Sequence, residues 1–89
     1  MESILLICDN KEFEKEFIKN YLYGINYSNE NNKYIGQNEV VTVVKPYQIL
    51  VGYRVHRVFI DKDLELNEEY TDHVKGAIVQ NSRAKIEYI

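Results

Sequence analysis

The run "SILLIC" at residues 3–8 is apolar at nearly every position and stops at Asp9-Asn10. A short continuous apolar run closed by polar residues predicts a strand buried on both faces. The pattern then changes period. In "DNKEFEKEFIKNYLYG", residues 9–24, Phe13, Phe17, Ile18, Tyr21 and Leu22 recur at helical spacing. Asp9, with Glu12 three residues later, fits a capping box, and Gly24 supplies a left-handed stop. Lys11, Glu12, Glu14, Lys15, Glu16 and Lys19 are expected to form the solvated face.

Residues 25–38, "INYSNENNKYIGQN", are polar, Asn-rich and without sustained period, which predicts a flexible loop. "EVVTVV" (39–44) reads as a β-branched strand that Pro46 ends. "YQILVGY" is ambiguous between a helical turn and a strand. "RVHRVFI" (54–60) becomes wholly apolar at its end, as a central strand does. "NEEYTDHVKGAIVQN" sets Tyr70, Val74, Ala77 and Ile78 on one helical face, with Asn67 as cap and Gly76 as a weak point. "AKIEYI" closes the chain as a last strand.

This order predicts a single α/β domain over residues 1–89: a mostly parallel four-stranded sheet in the order 2-1-3-4, with two main helices. The alternative is an α+β domain with an antiparallel meander through 39–60. In the parallel arrangement the first helix stands alone on its face, while the second helix and the connector residues Tyr47, Ile49, Leu50 and Val51 cover the other. Apolar surface then remains for a partner.

Composition narrows the functional classes. The chain has 89 residues, a formal net charge of −3 and 45% hydrophobic residues, so it is expected to fold as a small soluble domain, complete as written. No global positive field draws it to nucleic acid or anionic lipid. The lone Cys8 cannot form an internal disulfide and suits a reduced, buried thiol, which implies the cytoplasm. No stretch approaches the length needed to span a bilayer.

Two acids stand where the ends of parallel strands collect ligands: Asp9 after the first strand and Asp61 after the third, with Asp63 nearby. "RVHRVFID" resembles the Walker B strand of P-loop NTPases, whose acid helps to hold magnesium. That family also needs a glycine-rich phosphate loop ending in Lys and Ser or Thr, and "CDNKEFEKEF" offers no glycine. "ILLICDN" resembles the first strand of receiver domains, with Asp61 at the phosphoacceptor position, but the chain is too short for that five-unit fold. A broader likeness is to small α/β proteins of bacterial viruses that look like a P-loop core without its phosphate loop, which implies a binding role. The plain structural roles for Asp9 and Asp61 are a helix cap and a strand end.

His56, His73 and Cys8 lack paired metal-ligand spacing, and no serine lies in a nucleophile turn. No cofactor or metal is expected; were a divalent cation held, Asp9, Asp61 and Asp63 would hold it. Tyr53, Arg54, His56 and Arg57 combine stacking groups with cations, the pairing that serves single-stranded nucleic acid, on a chain of the wrong overall charge. The resulting expectation is a non-enzymatic protein-interaction module, binding a protein partner or itself. Tyr21 and Tyr23 near the end of the first helix, with Tyr53, Arg54 and Arg57, are the candidate contact residues.

Overall fold

A computed structural model of the chain describes residues 2–22, 28–79 and 86–89. The elements run β1 (Glu2–Ile7), α1 (Lys11–Tyr21), β2 (Ser28–Glu30), β3 (Lys33–Ile35), β4 (Glu39–Val44), β5 (Arg57–Ile60), α2 (Glu68–Lys75) and β6 (Ile86–Tyr88). They form one mixed six-stranded sheet in the order β2-β3-β4-β1-β5-β6. β1 pairs in parallel with β4 and β5, and β5 with β6, whereas β2, β3 and β4 pair antiparallel. The sheet therefore has six strands rather than the expected four, and one end of it is antiparallel.

The added strands come from the segment expected to be a flexible loop. Asn31 and Asn32 adopt φ of 47° and 65°, the left-handed conformation that a two-residue hairpin turn requires and that Asn tolerates better than most residues. The asparagines fold residues 28–35 into the β2–β3 hairpin, with Glu30 opposite Lys33. Residues 25–27, and the Gly24 helix stop, lie outside the described residues.

Side-chain alternation in β1 divides the core. Ile4, Leu6 and Cys8 face α1 with Val41, Phe59, Ile18, Leu22 and Tyr34. Leu5 and Ile7 face α2 with Val44, Leu50, Val58, Ile60, Tyr70, Val74 and Ala77. Strand alternation leaves β1 and β5 apolar on both sides because both sides are covered. Ile4 through Ile7, Val58 and Ile60 have no measurable exposure.

Both helices start from asparagine caps. Asn67 Oδ1 accepts the Tyr70 N–H at 2.8 Å, as the sequence predicts. For α1 the cap is Asn10, whose Oδ1 accepts the N–H groups of Glu12 and Phe13 at 2.8 and 3.2 Å, and not Asp9. An extended residue immediately before the first helical turn is needed for capping, and Asn10 holds it, with φ −131° and ψ 120°. Glu14 departs from the expected solvated face: it is buried, and it accepts a hydrogen bond from the Tyr34 hydroxyl.

The connector between β4 and β5 forms neither helix nor strand. Of Tyr47, Ile49, Leu50 and Val51, the residues expected to cover this face, Leu50 alone is buried, while Ile49 and Val51 are 72% and 80% exposed, so that expected cover reduces to one anchor. α2 ends at Lys75, capped by Gly76. No helix among the described residues is long and apolar enough to cross a membrane.

Candidate functional site

α1 carries two apolar stripes. Ile18 and Leu22, continued by Glu14, are buried toward β1, β3 and β4. Phe13, Phe17 and Tyr21, spaced one per turn, are only half-buried. Against the sheet this second stripe meets Phe59 of β5. The Phe17 ring stacks on Tyr21 at 5.2 Å between centroids, and Phe59 lies 5.1 Å from Phe17 and 5.5 Å from Tyr21. Ile89, just past β6, forms the opposite wall. Together Phe13, Glu16, Phe17, Asn20, Tyr21 and Ile89 enclose an open groove of about 370 Å³.

Arg57 closes one end of the aromatic cluster. Its guanidinium lies 4.8 Å over the Phe59 ring and donates to the Tyr21 hydroxyl at 3.2 Å, and it pairs with Glu87 at 3.3 Å and Glu2 at 3.7 Å. Burial raises the Tyr21 hydroxyl above its usual pKa, opposed by Arg57 and reinforced by Glu2, Glu39 and Glu87. Arg57 is thereby committed to carboxylates and rings of its own chain.

The four residues that suggested nucleic acid do not converge. His56 Nδ1 accepts the Ser3 N–H at 3.0 Å. Tyr53 and Arg54 line a crevice beside the end of α2, with Leu50, His73 and Ala77. Arg57 lies under Tyr21. Tyr53 packs against the α2-side core whereas Arg57 meets Phe59 and Tyr21 on the α1 side, so the linear cluster is split across the two faces.

The acids at the carboxyl edge separate as well. Asp9 is exposed and lines a crevice of about 270 Å³ between β1 and β4, with Cys8, Asn10, Lys11, Glu14, Asn32, Lys45 and Gln48 among its walls. This is a topological switch point, because the chain leaves β1 toward one face and β4 toward the other. Asp61 and Asp63 do not line it. Asp61 is buried and its Oδ1 accepts the Asp63 N–H at 3.0 Å, which folds the turn after β5. Among the described residues no group of three or more His, Cys, Asp or Glu side chains is placed to hold a metal ion. Burial pushes the Cys8 thiol up to about 11; a backbone hydrogen bond from Asn10 opposes this, and Glu14 and Asp61 add to it. Cys8 is a neutral core group at physiological pH.

Of the candidate contact residues, Tyr21 lies in the aromatic groove and Tyr23 falls outside the described residues. Phe13, Phe17 and Ile89 are the apolar groove residues absent from that set. The spacing of Phe13, Phe17 and Tyr21 beside a second buried stripe is a sequence signal for an apolar face wider than one seam. Nothing in the pattern marks Ile89. Comparison with protein-family models, curated proteins and solved structures gave no match.

Proposed function

We propose that the chain is a non-enzymatic, cytoplasmic protein-interaction module whose binding surface is the groove between α1 and β6, and that its occupant is a second copy of the chain. The observation that carries this reading is the half-buried stripe Phe13, Phe17 and Tyr21, seated through Phe17 and Tyr21 on Phe59, with Ile89 as the apolar wall opposite among the described residues. Aromatic residues in such a setting supply large apolar contact area at low side-chain entropy cost. The stripe is self-complementary: in an antiparallel crossing of two α1 helices about Phe17, Phe13 of each meets Tyr21 of the other. The same crossing sets the N-terminal end of each α1 beside the C-terminal end of its mate, an arrangement that the helix dipoles favour. A closed twofold is also the commonest assembly of small proteins. The likeness to P-loop cores stripped of their phosphate loop fits a domain kept for binding. A buried free Cys8 suits a reducing compartment.

Sedimentation equilibrium tests the reading. The expected result is association at micromolar concentrations to twice the 10.6 kDa chain mass. Phe13→Glu, which the N-terminal turn of α1 accommodates electrostatically, should return the monomer with an unchanged circular dichroism spectrum. A monomer at high micromolar concentration for the parent chain overturns the self-association.

A further inference from the structure

The connector 45–53 is held to α2 and to the segment leading into it by the side chains of Tyr47, Tyr70 and His73. The Tyr47 hydroxyl donates to the Glu65 carbonyl at 3.2 Å and accepts the Asn67 N–H at 3.1 Å. The Tyr70 hydroxyl donates to the Gln48 carbonyl at 2.7 Å. The Leu50 N–H donates to His73 Nε2 at 2.9 Å. The first two links use phenols, and burial, then Tyr53, raise that of Tyr70 above its usual pKa. The third depends on an unprotonated nitrogen. An imidazole that accepts at Nε2 carries its hydrogen on Nδ1, and a second proton turns the acceptor into a donor aimed at another N–H.

We propose that His73 is a pH-operated latch on the connector: neutral, it holds the Leu50 backbone, and protonated at Nε2 it lets that backbone go. The consequence is local. Leu50 is the connector's one buried aliphatic anchor, between exposed Ile49 and Val51. Its release joins three consecutive apolar residues into one exposed apex beside α2. The charged and titratable groups around the ring are Glu69 and Tyr70 on α2, Tyr47 and Tyr53 on the connector, Arg54 just after it, and the pair Asp72 and Lys75, one residue before His73 and two after it. None of them offers the Leu50 N–H a replacement acceptor in the structure as it stands.

Amide hydrogen exchange by NMR, with the His73 ring resonances followed in the same samples, tests the latch. Between about pH 7.5 and about pH 5, the protection factor of the Leu50 amide should fall at least about tenfold, with the midpoint of the ring titration, while Val58 and Ile60 keep theirs. In His73→Gln, whose Oε1 can accept the same bond without titrating, the fall should vanish. Leu50 protection that persists while the His73 ring protonates, or an equal loss in His73→Gln, overturns the proposal.

Discussion

The Tyr34 hydroxyl of β3 donates a hydrogen bond to the Glu14 carboxylate of α1, and both side chains are buried. This contact ties the β2–β3 hairpin to the helix above it. Lys11 approaches Glu14 to 3.6 Å from solvent and contributes little. Tyr34→Phe leaves a buried carboxylate without its donor and should destabilise the domain by about 1–3 kcal/mol. Glu14→Gln, which keeps an acceptor for the phenol, should cost less. Urea denaturation of the two variants checks the order; equal and negligible losses would show that the contact does not hold the hairpin.

Ile60 lies at the centre of the α2-side core with no measurable exposure. Ile60→Ala should cost about 2–5 kcal/mol, from lost transfer energy and the residual cavity. A domain of this size has a total margin of about 5 kcal/mol, so the variant should be largely unfolded at 37 °C. Thermal melting followed by circular dichroism reads the loss directly.

The hairpin turn predicts a gain. Asn32 sits at φ 65°, where glycine carries no Cβ penalty, so Asn32→Gly should stabilise by up to about 1 kcal/mol. Asn32→Val, β-branched at a left-handed position, should destabilise by about 1–2 kcal/mol. Opposite shifts in the chemical denaturation midpoint confirm the turn type.

Cys8 links stability to alkaline pH. Its thiol is raised from an ordinary value of 9.0 to about 11 in the fold, so between these values the folded thiol keeps a proton that the unfolded chain gives up. Its contribution is fully present below pH 9 and is lost as the pH rises toward 11, on the order of 2–3 kcal/mol. Comparing stability against pH for the parent and Cys8→Ala isolates this part of the alkaline slope. At pH 8 the native thiol should react with a disulfide reagent only at the rate at which the domain opens.

ATP and GTP with magnesium should leave the amide spectrum unchanged at sub-millimolar concentration. Asp61 is engaged in its own turn and does not share a crevice with Asp9. Turnover that Asp61→Asn abolishes would restore the Walker-B reading of "RVHRVFID".

The apolar runs at 3–8 and 58–60, the Asn67 cap and the stop at Pro46 were legible because each is a local property of the chain: periodicity, cap chemistry or a missing donor. The same locality limited the rest. Whether Asp9 or Asn10 caps α1 depends on which residue is extended at the helix entrance, and both are good caps by composition. The asparagines at 31 and 32 read as a loop because their turn acquires meaning only when β3 finds β4, which lies seven residues beyond the turn. Glu14 looked like one more acid on a charged face until Tyr34 arrived from another strand. Arg57, grouped in sequence with Tyr53 and Arg54, is drawn to the opposite side by Glu2, Glu87 and the Tyr21 ring. The sequence by itself determined that the runs at 3–8 and 58–60 must be buried and that a helix follows each, since periodicity and capping act over one or two turns, but not where α2 ends: Ala77 and Ile78, expected on its face, lie beyond Lys75. Only the tertiary structure decided which polar groups meet, because buried donors and acceptors must be paired and their partners come from distant strands and helices.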